Sequence, residues 1–403
     1  MKNIFKYLGP GIVVAATGVG AGDMIAATVG GSSYGFTILW AVVLGAIFKY
    51  VLNEGIGRWQ LKSGISVPEA WIRRMPSVFP WYFIIYLVLW TFIVSAALIA
   101  ATGLAANSIF PVLTVNEWGI IHTVIASLFV FFGNYKYFEL VMKILISLLF
   151  VIVILSIIIL FPNMDGFFTG LFIPSFMPGS GPYIMAIIGG VGGSVTLLSY
   201  GYWISEKEWK GIEKLNRIRI DLAVAYSLTA IFGICIVIIS ANLKPDVVKS
   251  NQIILALANE IEKSTGETGR LIFLIGFWGA VFTSMLGVWQ GVPYLFADFI
   301  TTWRNEKKYL KSLKNNKYYK WYLLFIAFPP LIILFYQKPV WLIMAYSITG
   351  ALFMPFLAVT LLWITNKKDW IQDSKSSLIT NIIFILTILL FGYLAAIEII
   401  NNV

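Results

Sequence analysis

The sequence is poor in the residues on which soluble enzymes rely. It holds one cysteine, Cys235, and one histidine, His122, in 403 residues. One thiol excludes an internal disulfide and any cysteine cluster, and one imidazole excludes a histidine-rich metal site. Charged residues make up 12% of the chain, against about 25% in soluble domains. A Walker A motif, a zinc-protease histidine pair and a nucleophile elbow are all missing. So is any long soluble stretch, which leaves no nucleotide domain for an ATP-driven pump. The chain is therefore not expected to be an enzyme or to need a cofactor. No cleavage pattern follows the first apolar segment, so that segment is expected to remain as a spanning helix. The net charge of +10 would point to nucleic acid in a soluble protein. Here the excess falls in short loops, as orientation signals and contacts to anionic lipid require. Membrane lipid is thus an expected partner; nucleic acid is not, and no obligate protein partner is evident.

Apolar residues fill the chain instead, at 59%. Eleven hydrophobic spans are expected, at 8–30, 36–59, 80–106, 117–133, 138–161, 181–204, 218–241, 269–298, 319–336, 339–365 and 378–400. Each is near the roughly 20 residues that a bilayer core needs. This predicts an all-α polytopic membrane protein with one transmembrane domain over 1–403. Lys and Arg alternate between loops, dense at one set of span ends and sparse at the other. By the positive-inside rule the N-terminus lies inside the plasma membrane and the C-terminus outside. In the outer loop 242–268, Ile253 to Glu262 has helical apolar spacing and is expected to lie as a short amphipathic helix on the outer surface. The charge run at 302–320 reads as a solvated connector.

Two glycine-rich stretches organise the rest. Gly18-Val-Gly-Ala-Gly-Asp23 lies in the first span and Gly189-Gly-Val-Gly-Gly-Ser194 in the sixth. Glycine costs about 1 kcal/mol relative to alanine inside a helix, so both helices are expected to unwind there. Unwound backbone at membrane depth must be buried in protein or line a polar cavity. Matching interruptions in two halves point to a transporter's central site. The spans divide as five plus five, 8–161 and 181–365, with an extra helix at 378–400. An odd number per repeat forces the two repeats into opposite orientation.

Asp23 is the one acid in the first break. It could ligate a cation, pair an amine or carry a proton, and it could equally cap the half-helix that follows. The second break offers Ser194, Thr196, Ser199 and Tyr200 with freed glycine carbonyls. These are oxygen ligands, which suit magnesium, calcium or manganese. Lys49 and Glu54, with Arg58 one turn on, read as an interfacial ion network or snorkelling near the inner end of the second span, or else as a gate. Glu139 and Lys143 form an i,i+4 pair. Asp221, Asp298 and Glu398 read as interfacial, and His122 and Cys235 as structural.

The chain resembles the Nramp family of divalent metal transporters, which have the LeuT-type fold. The resemblance is carried by Gly9 to Thr17, Tyr34 to Trp40, Gly170 to Ser175 and Arg219 to Ala225. The family's first-helix signature, Asp-Pro-Gly-Asn, reads Gly20-Ala21-Gly22-Asp23 here. Its helix-six signature, Met-Pro-His, reads Gly193-Ser194-Val195. The helix-three acids align with Ala97 and Ala100, and the second histidine of helix six with Tyr200. The pattern is similar to divergent Nramp-related proteins, among them magnesium transporters without the usual metal site. The resemblance implies a secondary transporter of a hard divalent cation, magnesium or manganese, by alternating access and with proton coupling in doubt. The resemblance carries over Asp23 with the backbone of Gly20, Ala21 and Gly192; Gly193, Ser194 and Thr196 of the second break complete the candidate set, and Tyr200 and Glu54 are candidates for gating or coupling. Two alternatives stay open: transport of a small amine or amino acid, and a non-transporting sensor or subunit.

Overall fold

The computed structural model describes residues 9–160, 164–190, 193–241, 243, 253–306, 310–336 and 339–402. Among these residues every regular element is a helix. Seven helices are long and apolar enough to cross a membrane, or eight if a pair bent by 80°, Ile348–Ile364 and Lys368–Ser374, forms one span. Helix lies in each window marked by the sequence, but in unequal pieces.

The first window splits into α1 (Pro10–Gly18) and α2 (Ala21–Tyr34). A 3₁₀ turn at Gly35–Ile38, entered with Gly35 at φ +58°, leads to α3 (Leu39–Ser63). That helix ends where Gly64 takes a left-handed conformation. Ser66 caps α4 (Val67–Arg74), accepting from Glu69 N–H, with a proline in the first turn. There follow α5 (Val78–Ile109) and α6 (Val115–Phe132). Thr114 and Glu117 start α6 with a reciprocal capping box. Next come α7 (Tyr135–Leu160) and the short α8 (Phe167–Phe172). The sixth window splits into α9 (Gly181–Gly190), a 3₁₀ turn at Val195–Leu198, and α10 (Ser199–Glu206). Helix α11 spans Leu215–Ser240.

Helix α12 runs from Ile253 to Trp303 and is interrupted at Gly266, where φ is 71°. Its first turns are the amphipathic segment expected from the sequence. Ile254, Leu257, Ala258 and Ile261 are all buried, so that face packs on protein rather than on a membrane surface. Helix α13 (Lys317–Ala327) gives way to a 3₁₀ stretch at Pro329–Tyr336, because two adjacent prolines lack the N–H groups an α-helix needs. The chain closes with α14 (Pro339–Ala351), α15 (Phe353–Ile364), α16 (Lys368–Ile371) and α17 (Leu378–Asn402). In the charge run, Leu313 is buried and Lys314 bonds the Gly133 carbonyl, so the connector folds back on the protein there. Burial holds the Lys314 ammonium below its usual range, with Glu206 acting in the opposite sense.

The broken pieces lie at the centre. Helix α1 packs on α7, α11 and α12, and α2 on α9, α11 and α14, while α3 covers α9 and α11. By contrast α7 and α17 expose apolar rows, including Ile144, Leu148, Val151, Leu386 and Leu389, as helices facing lipid do.

Candidate functional site

Helix α1 stops at Gly18. Val19 still donates to the Ala15 carbonyl at 2.7 Å, but Gly20 is extended, at φ −145° and ψ −155°. The ladder resumes when Met24 N–H donates to the Gly20 carbonyl at 3.0 Å. A last-turn carbonyl of α1 is met from outside: Ser284 Oγ on α12 donates to Thr17 O at 2.7 Å. A Cβ at position 20 would lie 1.8 Å from that Oγ, so a side chain there would block the contact.

The second break mirrors the first. Gly193 N–H donates to the Gly190 carbonyl at 2.9 Å, and Gly193 has φ +85°, where glycine is favoured. A Cβ there would meet Thr196 Oγ1 at 2.4 Å and would lie 3.9 Å from the Gly18 Cα. The two breaks therefore face each other. Between them is a cavity of about 20 Å³, lined by Thr17, Gly18, Ser194, Thr196, Ser284 and Tyr346 among others. That volume admits a guest about the size of one water.

On the other side of the breaks stands Asp23, 4% exposed, in the first turn of α2. The positive end of that half-helix favours a carboxylate. Its Oδ1 would lie 3.0 Å from a Cβ on Gly190, so the bare glycine at the foot of α9 lets it approach. Beside it is Lys49, 1% exposed, whose Nζ donates to the Gly189 carbonyl at 2.7 Å. Asp23 and Lys49 thus meet the last two residues of α9, Gly190 and Gly189. Asn53, one turn along α3 from Lys49, donates its amide to Tyr226 Oη at 2.8 Å. The reading of Lys49 as snorkelling at a span end is thus corrected: the ammonium points into the bundle and caps the carboxyl end of α9.

The structure brings Asp23, Gly20, Gly190, Gly193, Ser194 and Thr196 to one meeting of two breaks, and divides them. Gly193, Ser194 and Thr196 surround the small cavity with Gly18, while Asp23 faces Gly190 and Lys49. Ala21 opens α2; its side chain, and all of Gly192, lie outside the described residues. Among the described residues no group of three or more His, Cys, Asp or Glu gathers as a metal cage.

The family model described as natural resistance-associated macrophage protein-like matches residues 11–401. The chain belongs to the Nramp family. Its fold is similar to that of the Eremococcus coleocola manganese transporter, at a TM-score of 0.78 and 16% identity, covering 99% of this chain and 87% of that one. Among curated relatives, an uncharacterized protein of Pasteurella multocida is 30% identical over 108 residues, 27% of this chain and 25% of that protein. The divalent metal cation transporter MntH of Listeria welshimeri is 23% identical over 201 residues, 49% of this chain and 44% of that protein. The chain thus spans less than half the length of these two relatives. Nramp-family proteins are membrane transporters rather than enzymes, as the composition had implied.

In this Nramp-family chain the remaining charges form specific contacts. Tyr200 is buried and donates to Asp221 Oδ2 at 3.1 Å. Asp221, read as interfacial, is 0% exposed and accepts the Gly9 and Gly11 N–H groups at 2.9 and 2.6 Å. It caps the N-terminus of α1 from α11, a long-range contact that no local pattern announces. Glu54 pairs with Arg58 at 2.5 Å and with Arg219 at 2.9 Å, and Arg58 also donates to the Ser374 and Lys375 carbonyls. That is the expected ion network, except that its carboxylate is buried. Glu139 holds Lys143 and also Lys207, just past the end of α10, both at 2.6 Å. Asp298 is buried and accepts from Ser66 Oγ and Tyr202 Oη, joining α12 to the cap of α4. His122 lies between Trp118 and Trp278, bonded through both ring nitrogens, and Cys235 is buried. The side chain of Glu398 lies outside the described residues.

Proposed function

We propose that this chain moves a small, hard divalent cation, magnesium or manganese, across the plasma membrane by alternating access at the paired breaks. The observation that carries the reading is Asp23, a buried carboxylate at the head of one half-helix packed against bare Gly190 at the foot of the other. A charge at bilayer depth costs about 3 kcal/mol or more on insertion scales, so such a residue is a functional-site hypothesis by default. The ligand set is Asp23, backbone at Gly20, Ala21, Gly192 and Gly193, the hydroxyls of Ser194 and Thr196, and water. All are hard oxygen donors. The family resemblance bears on this set: the family's ligating Asp and Met fall at Gly20 and Gly193 here, and its ligating Asn falls at Asp23, which leaves Asp23 as the acid of the set. A site with one acid and much backbone suits magnesium, which keeps several of its waters.

The manganese transporter and MntH relatives support a divalent passenger. The cavity of about 20 Å³ at Ser194 and Thr196, which Asp23 does not line, has no room for an amine or amino acid on that side of the breaks. Two breaks facing each other, one at the head of 8–161 and one at the head of 181–365, support the inverted-repeat reading. The loop cations support an inside N-terminus and an outside C-terminus. A dication entering a negative interior gains about 4.6 kcal/mol per 100 mV, twice the single-charge figure, which is enough to drive uptake without a coupled proton.

Uptake of Mg²⁺ and Mn²⁺ into liposomes tests the reading. Asp23→Ala is expected to lower uptake about 100-fold, the scale of removing one buried charge partner, while leaving a monodisperse folded protein. Uptake at the wild-type rate in that variant removes the proposal.

A further inference from the structure

We propose that Lys49 is a tethered cation of the transport site: its ammonium neutralises Asp23 and covers the Gly189 carbonyl in the unloaded carrier, and a divalent passenger binds by displacing it. The inference rests on the divalent-cation reading and adds to it the residue that sets specificity by valence.

Four helices build the cluster. Asp23 comes from α2, Lys49 and Asn53 from α3, Gly189 and Gly190 from α9, and Tyr226 from α11. Lys49 is 1% exposed and sits in mid-helix, so its stem cannot carry the charge to a membrane surface. The ammonium ends instead on a carbonyl at the carboxyl end of a half-helix, where the dipole is negative. Asn53 is 0% exposed, and its Oδ1 makes no hydrogen bond among the described residues. The cluster therefore offers a carboxylate, a freed main-chain carbonyl and an amide oxygen. An ammonium and a hard dication want the same oxygens, and like charges cannot share them.

Two consequences follow for a transport cycle. With Lys49 in place the Asp23 charge is balanced, so the unloaded carrier can reorient without a co-ion, and the carrier is a uniporter. A monovalent ion brings no more charge than Lys49 already supplies, so only a higher charge gains by displacing it. A different role, in which Lys49 merely caps α9, predicts neither effect; losing a cap weakens the fold and lowers all fluxes alike.

The test compares wild type, Lys49→Gln and Lys49→Arg, with Mn²⁺ as the probe. Calorimetry in detergent gives affinity; liposomes give net uptake and, when preloaded with Mn²⁺, exchange. Lys49→Gln is expected to bind Mn²⁺ at least about tenfold tighter, because the competing charge that taxes binding is gone. Its exchange persists while its net uptake falls, since the unloaded site then carries the Asp23 charge without the Lys49 ammonium. Lys49→Arg keeps the wild-type ratio of exchange to net uptake. Unchanged or weaker binding by Lys49→Gln, with both fluxes falling together, overturns the inference and leaves Lys49 as a cap. If the variants do not fold, the wild type still decides: net Mn²⁺ uptake is expected at constant internal pH, and a stoichiometric internal pH change overturns it. A wild type that neither binds nor moves Mn²⁺ or Mg²⁺ sinks the divalent reading itself, and this inference with it.

Discussion

At the scale of the residue, the absence of side chains does as much as their presence. Gly20 leaves room for Ser284 to reach the Thr17 carbonyl, and Gly190 leaves room for Asp23. Gly20→Ala would set a Cβ 1.8 Å from Ser284 Oγ and 2.6 Å from its Cβ. Overpacking of this kind costs about 1–3 kcal/mol, so the variant is expected to melt earlier in a detergent thermal-shift assay. Adding Ser284→Gly restores the space but not the hydrogen bond, and recovers part of the loss. Full stability in the Gly20→Ala single variant would show that the break opens more easily than this packing implies. Asp23 was legible in the sequence because a lone acid among glycines at membrane depth has few bland explanations. Lys49 was not, because Glu54 and Arg58 follow it and suggest a span end. The cue was its place eleven residues into a 25-residue helix, too deep to snorkel.

At the scale of the element, α1 is a helix of 9 residues held at both ends by other helices. Asp221 and Tyr200 hold one end, and Ser284 holds the other. A carboxylate that accepts main-chain N–H groups at a helix start is worth about 0.5–2 kcal/mol. Asp221→Ala is therefore expected to lower stability by that order and to free the start of α1. In a Cys235→Ser background, a thiol placed by Val13→Cys should then react faster with a soluble maleimide. Equal reactivity with and without Asp221 would mean that the cap does not hold α1. Both helix breaks were legible from glycine content alone. Their partners were not, since Asp221 lies more than 200 residues from the α1 start that it caps. The amphipathic start of α12 was legible as a helix; that its apolar face packs on protein depends on neighbours that periodicity cannot name.

At the scale of the whole molecule, composition and hydrophobic runs sufficed to identify a multi-pass helical membrane protein. The division into spans is harder, because glycine and proline cut the apolar runs into pieces that length alone does not rejoin, as at Gly35 and Pro329. The loop cations predict a sidedness that can be read directly. An epitope tag after Val403 should bind antibody on intact cells, and one before Met1 should bind only after permeabilisation; the opposite pattern would reverse the assignment. The central claim is that the passenger sits where the two breaks meet, beside the buried acid. A structure determined with Mn²⁺ by anomalous scattering tests this most directly. The account predicts one strong peak at inner-sphere distance, about 2.0–2.3 Å, from a carboxylate oxygen of Asp23, with main-chain oxygens of the breaks completing the shell. A peak remote from both breaks, or none at saturating Mn²⁺, would contradict it.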